Sequence, residues 1–535
     1  MPLPAVANRR APARGSDGQP LSPSRSWLYN SLAFALVLLA WQLLATALAG
    51  RYVIASPPEI VVALVDARHV WADNVRATVV PAASGWAVGT AVGSLLAALA
   101  LLVPSAERPA LRVAAAIYSL PLVAVAPVLQ VTLSGAGPST VLAALTVVFT
   151  TTVTIVEGLR AAPSSVLAVS RGLGASPLRI LVSVRARAAL PMMLTSLRIS
   201  WPAALIGALI GEYLGGTSGL GVYMVQQASQ LETAQVWAAA TLITAIALIG
   251  IVAAGATARR MVQVADVDMS VRPAAPARSS LARVGASVRT NAITVVVFCA
   301  LWVGYLWLFQ VDPFVGRTPV DVVDYLLDGP GRDVLADTLG STLRDIGTGL
   351  AVGWLAGALL AMLFFASAIL ARLLMPIAAA MAAVPILAVI PLLTMAFGYG
   401  LAGVVVIVAI IVFFPTMILV LDGLRSAPAD LLAVARSYGA TRSAVLLRIR
   451  IPYALPALAT GLRIACPLAV IGALLAQWLT SGHGLGYLML ADSISYNYDR
   501  LWAATVLTTL IAVTAYALSE SCERAVLARF SDSAR

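Results

Sequence analysis

The side chains able to do chemistry are few, and their types exclude more than they allow. His69 and His483 are the only histidines in 535 residues, and Cys299, Cys466 and Cys522 lie far apart. Neither C-x-x-C nor H-x-x-x-H spacing occurs, so no metal site is expected. The cysteines read as small packing residues rather than a disulfide framework. The formal charge of +11 comes from arginine alone, because the chain contains no lysine. A phosphate-cradling G-x-x-x-x-G-K-[ST] loop needs its lysine, so ATP is not bound by that route. The glycines of Gly215–Gly221 are expected to form a turn between helices instead. No paired carboxylates stand in the apolar stretches, so neither a catalytic site nor a cofactor of the chain's own is expected.

Two segments gather much of the remaining polarity, Val166–Pro191 (VLAVSRGLGASPLRILVSVRARAALP) and Leu431–Pro456 (LLAVARSYGATRSAVLLRIRIPYALP). Each opens with apolar and small residues at helical spacing, Val166 to Leu173 and Leu431 to Tyr438, and carries one of the arginines Arg171 and Arg436. Gly174-Ala175 and Gly439-Ala440 then suit a helix end, since glycine accepts a left-handed backbone. A basic stretch leads to Pro191 and Pro456, expected in the first turn of the next helix. Elsewhere, Glu212 and Tyr213 end an apolar run, and Gln477 and Trp478 stand at the same place 265 residues on. These four are candidates to line a solute path, as ionisable groups inside spans usually face a cavity or partner. Alternatively, Glu212 is hydrated at the membrane surface.

The elements that must position these residues are membrane spans. The chain is 60% hydrophobic and 11% charged, against about one-quarter charged in soluble domains. Apolar runs recur at the roughly 20 residues that cross a bilayer core. They also recur in register. Glu157–Pro163, Arg171, Gly174, Leu190-Pro191, Arg198 and Gly219–Gly221 match Asp422–Pro428, Arg436, Gly439, Leu455-Pro456, Arg463 and Gly484–Gly486 at an offset of 265. Thr78, Gly85, Gly89, Gly93, Pro121 and Pro127 match Thr342, Gly349, Gly353, Gly357, Pro385 and Pro391 at 264. The fold class is therefore an all-α integral membrane protein of about 12 transmembrane helices in two six-helix repeats. Spans are expected near 28–49, 79–103, 112–133, 140–158, 192–214 and 236–256, then 292–310, 345–366, 373–394, 402–421, 457–479 and 501–518.

These limits give a disordered tail over 1–26, a first unit over 27–256, a linker over 257–290, a second unit over 291–520 and a tail over 521–535. The arginines of the loop after span four and of the linker place those segments, the tails and both termini in the cytosol. An even number of spans per unit makes the repeats parallel. The glycines at Gly85, Gly89 and Gly93 are expected at close helix contacts.

The duplicated loop resembles the "EAA" loop of bacterial ABC importer permeases, in which a glycine precedes Leu-Pro by some sixteen residues. The resemblance is nearest to the nitrate/sulfonate/taurine and thiamine-pyrimidine-precursor branch, through Gly158–Pro163, Arg171–Ser176, Ala189–Pro191, Leu197–Ile199 and Ser218–Met224. It runs from about Ala33 to Leu518, and its motifs recur more weakly in the second half. It implies two permease domains fused in one chain of a bacterial inner membrane, translocating a small polar or anionic solute. The implied partners are a cytosolic ABC ATPase dimer, which binds ATP and Mg, and an extracytoplasmic solute-binding protein; lipid surrounds the spans. Arg171, Gly174, Ala175, Pro191, Arg436, Gly439, Ala440 and Pro456 then belong to ATPase-coupling loops. The family's motif acid is replaced by Ala168 and Ala433, so other loop residues must make its contact.

Rival readings fit less well. A secondary transporter with two parallel six-helix halves would need membrane-embedded acids, which are scarce, and a basic loop after span two rather than four. Nucleic-acid binding is excluded by basic residues scattered over loops without interleaved aromatics.

Overall fold

The computed structural model describes residues 54–103, 122–133, 135–213, 215–262, 302–367, 386–398 and 400–531, with scattered positions within 35–47, 295–300 and 370–375. The first half contains α1 (Pro57–Asp66), α2 (Arg68–Leu102), α3 (Leu122–Thr132), α4 (Gly137–Arg160), α5 (Ser164–Gly172), α6 (Pro177–Tyr213), α7 (Leu220–Ser229) and α8 (Thr233–Val262). The second half repeats the order as α9 (Pro319–Asp328), α10 (Arg332–Ala366), α11 (Ile386–Phe397), α12 (Leu401–Arg425), α13 (Ala429–Ser437), α14 (Arg442–Leu479), α15 (Gly484–Ile494) and α16 (Tyr498–Ser531). No strand occurs among the described residues. Among the described residues eight helices, the even-numbered ones, are long and apolar enough to cross a membrane. The expected first and third spans of each half fall partly outside the described residues. So do the 1–26 tail and most of the linker.

Several expected boundaries shift. Helices α2 and α10 begin at Arg68 and Arg332, well before 79 and 345. Their first turns carry Arg68, Asp73 and Arg76, or Asp333, Asp337 and Arg344, so they are helical without being apolar and escape a search for apolar runs. Likewise α8 and α16 run past the expected span ends at 256 and 518, so that 521–531 is helical. Before each α2-type helix lies a short helix that hydropathy does not reveal. Each is closed at its start by an acid three residues in. The Ser56 N–H donates to Glu59 Oε2 at 2.8 Å, and the Thr318 N–H to Asp321 Oδ2 at 2.7 Å.

Apolar side chains gain little by leaving lipid for a helix interface, so close backbone approach has to hold the spans together. The glycine rows supply it. A Cβ built on Gly85 or Gly89 would stand 2.4 Å from Thr140 O or 2.5 Å from Ala144 O, both on α4. On Gly349, Gly353 and Gly357 it would meet α12 at Val408, Ala409 and Phe413, within 2.8 Å each time. Gly207 and Gly211 seat α6 against the other side of α4 in the same way. Gly89→Leu and Gly353→Leu are each expected to cost about 3 kcal/mol through overpacking between two backbones. Thermal unfolding of the chain in lipid nanodiscs would show this, and an unchanged midpoint would refute the packing account.

The third spans bridge the two halves, each packing also on its own half, α3 on α4 and α6, and α11 on α12. Helix α3 packs on α14, α15 and α16, while α11 packs on α6, α7 and α8. Leu209 and Ile243 of the first half therefore share one buried cluster with Val470 and Leu501 of the second. The Thr132 and Tyr305 hydroxyls, 2.5 Å apart, add a polar link. The third spans thus tie the two halves into one body around a shared core.

Candidate functional site

Helix α4 ends at Arg160, and Pro163 turns the chain into α5. No residue of α5 is buried, although its sequence is half apolar. Its end is closed by Gly174 N–H to Arg171 O at 2.9 Å and Ala175 N–H to Ser170 O at 3.0 Å, with Gly174 at φ +75. The Ser176 side chain then caps α6 by accepting from Arg179 N–H. The second loop reproduces this with different residues. Gly439 N–H reaches Arg436 O and Ala440 N–H reaches Ala435 O, each at 3.0 Å, Gly439 sits at φ +73, and Thr441 accepts from Ala444 N–H. A Cβ on either glycine would meet nothing within 4 Å, so backbone conformation, not crowding, demands glycine.

One expectation needs correction. Pro191 and Pro456 do not open new helices; they lie inside continuous helices that start at Pro177 and Arg442. Each of those helices contains one wide π turn before the proline, at Leu181–Arg185 and Leu446–Arg450. A locally widened ladder lets a helix run on where proline removes one of its hydrogen bonds. After the short helix and its glycine turn, one continuous helical rod therefore runs from the loop into the span. Arg450 strengthens the second rod, donating to Leu424 O at 2.7 Å and lying 4.6 Å above the Phe365 ring.

What the loops display is apolar. Leu173 and Tyr438, at duplicated positions just after the short helices, are 83% and 88% exposed. Val169 and Val434 flank them, and Arg171, Arg436, Ala168 and Ala433 are exposed beside them. Each loop thus presents an exposed apolar tip with an arginine beside it.

The other candidates lie at the far end of the same rods. Glu212 and Gln477 are buried, 3% and 0% exposed, which excludes a hydrated Glu212. Glu212 Oε2 accepts from Gly221 N–H at 2.7 Å, the Thr78 hydroxyl accepts from Leu220 N–H at 2.9 Å, and Asn74 Oδ1 accepts from Gly219 N–H at 3.1 Å. The free N–H groups that open α7 are thus met by side chains of α2 and α6. The second half repeats the latch on α15: Gln477 Oε1 accepts from Gly486 N–H at 3.1 Å, and Thr342 accepts from Leu485 N–H at 2.8 Å. There Gln477 also donates to buried Asp345, which His483 approaches at 3.2 Å. Tyr213 is half-buried, with its hydroxyl 3.9 Å from Met224 Sδ, and Trp478 is buried against the shared core. Loops and latches are separate sites at opposite ends of α6 and α14.

Thr78 and Thr342 were visible as a repeated pair, but nothing in their spacing shows that they cap a helix from another span. Asp345 and His483 have no counterparts, since Pro81 and Ser218 occupy those places in the first half. Among the described residues no cluster of His, Cys, Asp and Glu could hold a metal.

Comparison with known proteins matches the chain twice to one family, described as binding-protein-dependent transport system inner membrane component, over residues 89–263 and 349–530. Curated relatives include a probable ABC transporter permease protein of Haemophilus influenzae, 38% identical over 175 residues, which are 33% of this chain and 71% of the relative. The formylaminopyrimidine transport permease protein of Halalkalibacterium halodurans is 30% identical over 216 residues, 40% of this chain and 86% of its own length. The taurine transport system permease protein of Escherichia coli is 26% identical over 224 residues, 41% and 82% of the two chains.

Proposed function

The chain belongs to the binding-protein-dependent transport system inner membrane components, as two ABC importer permease domains fused in one polypeptide, and from that premise we propose how it works. A small polar or anionic solute, of the sulfonate, taurine and nitrate class or the thiamine-pyrimidine-precursor class, crosses between the two halves. An extracytoplasmic binding protein delivers it. A cytosolic ATPase dimer drives the transfer by gripping α5 and α13, and both termini lie on that side. The coupling residues are Arg171, Gly174, Ala175 and Pro191 with Arg436, Gly439, Ala440 and Pro456.

One observation carries this reading: the same exposed apolar knob, closed by the same left-handed glycine, stands on a rigid rod in both halves. An apolar tip held out on so short an element has no use within the chain, and an ATPase cleft would bury it. Movement of the knob then travels along α6 and α14 to their outer ends. Tyr213 and Trp478, at the far ends of these rods, line the path where the two halves share their core. Glu212 and Gln477 transmit the movement to the outer helices α7 and α15.

The test is ATP hydrolysis in lipid nanodiscs. The chain alone is expected to show none. Added to its ATPase partner, it should form a stable complex with hydrolysis that rises further when the loaded binding protein is present. Solute uptake that continues without ATP and follows a proton gradient would refute the reading.

A further inference from the structure

In each half a short helix packs against the start of the last span, α1 on α8 and α9 on α16. The two junctions are built from matching positions and finished differently. In the second half the chain's own side chains close the junction. Buried Tyr325 donates its hydroxyl to Pro330 O at 2.5 Å. Arg500 Nε donates to both oxygens of Asp492, at 3.0 and 2.9 Å, and Arg317 Nε lies 2.7 Å from Asp499 Oδ1. The tyrosine and the guanidinium converge: a Cβ on Gly331 would stand 3.4 Å from Arg500 and 3.5 Å from the Tyr325 hydroxyl.

In the first half each of these side chains is smaller or uncharged. Ala63 stands for Tyr325, Gln235 for Arg500, Gln227 for Asp492, Ala234 for Asp499 and Ala55 for Arg317. What remains is an open groove of about 340 Å³, lined by Glu59, Val62, Ala63 and Asp66 of α1 with Ala234 and Gln235 of α8. The acids have outlasted the arginines, since Glu59 and Asp66 match Asp321 and Asp328. Arg332 lies 3.7 Å from Asp328, but among the described residues no arginine pairs with Glu59 or Asp66. Glu59 only accepts from Ser56 N–H, through one of its two oxygens.

An apolar floor between two carboxylates, with no base in its lining, suits a side chain with an apolar stem and a cationic fork. The second half shows such a filling, a tyrosine ring beside a guanidinium. We propose that the groove between α1 and α8 receives an arginine side chain of the extracytoplasmic binding protein, which takes the place that Arg500 and Tyr325 occupy in the second half. This docking rests on the importer reading, which puts α1 on the outer face, and it adds an orientation. The partner enters an open acidic groove on one half and meets a junction already filled and ion-paired on the other. An arginine seated in a pocket is a common centre of interface energy, and opposed charge speeds the encounter.

The test measures binding of the purified binding protein to the full chain in phosphatidylcholine nanodiscs by biolayer interferometry, with melting of the chain as the control for folding. Asp66→Arg changes an exposed residue in the last turn of α1, where a cation suits the helix dipole. It should weaken binding by about tenfold or more, and one arginine-to-glutamate exchange on the binding protein should restore it. Ala63→Tyr, which fills the groove from within, should weaken binding to a similar extent. Asp328→Arg, the same reversal on α9, should change it less than about twofold. Full affinity of Asp66→Arg would overturn the proposal, and so would an equal loss from Asp328→Arg, which would make the attraction a general one of the outer face. Phosphatidylethanolamine retained by the native chain and lost from Asp66→Arg, with docking unchanged, would assign the groove to a lipid headgroup and overturn it too. A native chain whose hydrolysis with the ATPase never responds to the binding protein would sink the importer reading; a response kept in full by Asp66→Arg would sink this docking alone.

Discussion

Exchanging Leu173 and Tyr438 together for aspartate is expected to abolish coupling: the ATPase should no longer be stimulated, while the chain remains folded in the membrane. Both side chains are almost wholly exposed, so the exchange disturbs nothing inside the protein. In a complex, each would be an apolar anchor in a desolvated cleft, and replacing such an anchor by a buried, unpaired carboxylate costs about 2 kcal/mol or more. That is roughly a thirtyfold loss of affinity per loop. Because one chain presents both loops, the dimer engages them together, and losing both removes the benefit of linkage as well. Single exchanges should leave partial stimulation. Gly174→Ala and Gly439→Ala should have smaller effects, about 1 kcal/mol each from the left-handed backbone, because a methyl group there meets nothing. ATP hydrolysis by the reconstituted complex, with melting of the chain alone as control, reads both results.

Gly219→Ala and Gly484→Ala are expected to damage the chain itself. These two glycines open the outer latches at φ +126 and +90. A Cβ on Gly219 would lie 2.4 Å from the Glu212 carboxylate, and on Gly484 2.2 Å from the Gln477 amide carbon. Both partners are buried and already hydrogen-bonded, so neither can move aside without leaving an N–H of the following helix unmet. Strain and the lost bond together should cost more than about 3 kcal/mol per site. Melting temperature and yield of monodisperse protein would show it, and near-native behaviour of either variant would contradict the latch. Glu212→Gln is expected to be mild, because Gln477 performs the same task with an amide.

Much of this was legible before any coordinates, and the reason is duplication. The offset of 265 held Arg171, Gly174 and Pro191 in step with Arg436, Gly439 and Pro456 and marked the loops. Hydropathy located the eight long spans, since a run of apolar residues needs no partner to be recognised. The glycine rows declared close packing through a spacing that only helices use. What stayed hidden depends on contacts between distant elements. The fused rods through Pro191 and Pro456 could not be foreseen, because proline after a basic stretch reads equally as a helix start. Short α1 and α9 escaped for want of apolar length. The latches were half visible: Glu212 and Gln477 stood out as polar residues in apolar runs, but their use on a neighbouring backbone did not.

The two apolar knobs stand or fall on which side of the membrane they occupy and what covers them. With the three natural cysteines replaced by serine or alanine, Leu173→Cys and Tyr438→Cys can each be tested with a membrane-impermeant maleimide in oriented vesicles. Both positions should react rapidly in inside-out vesicles, fail to react in right-side-out ones, and become protected when the ATPase partner is added. Labelling of either cysteine from the outer face, or unchanged labelling with the ATPase bound, would contradict the account.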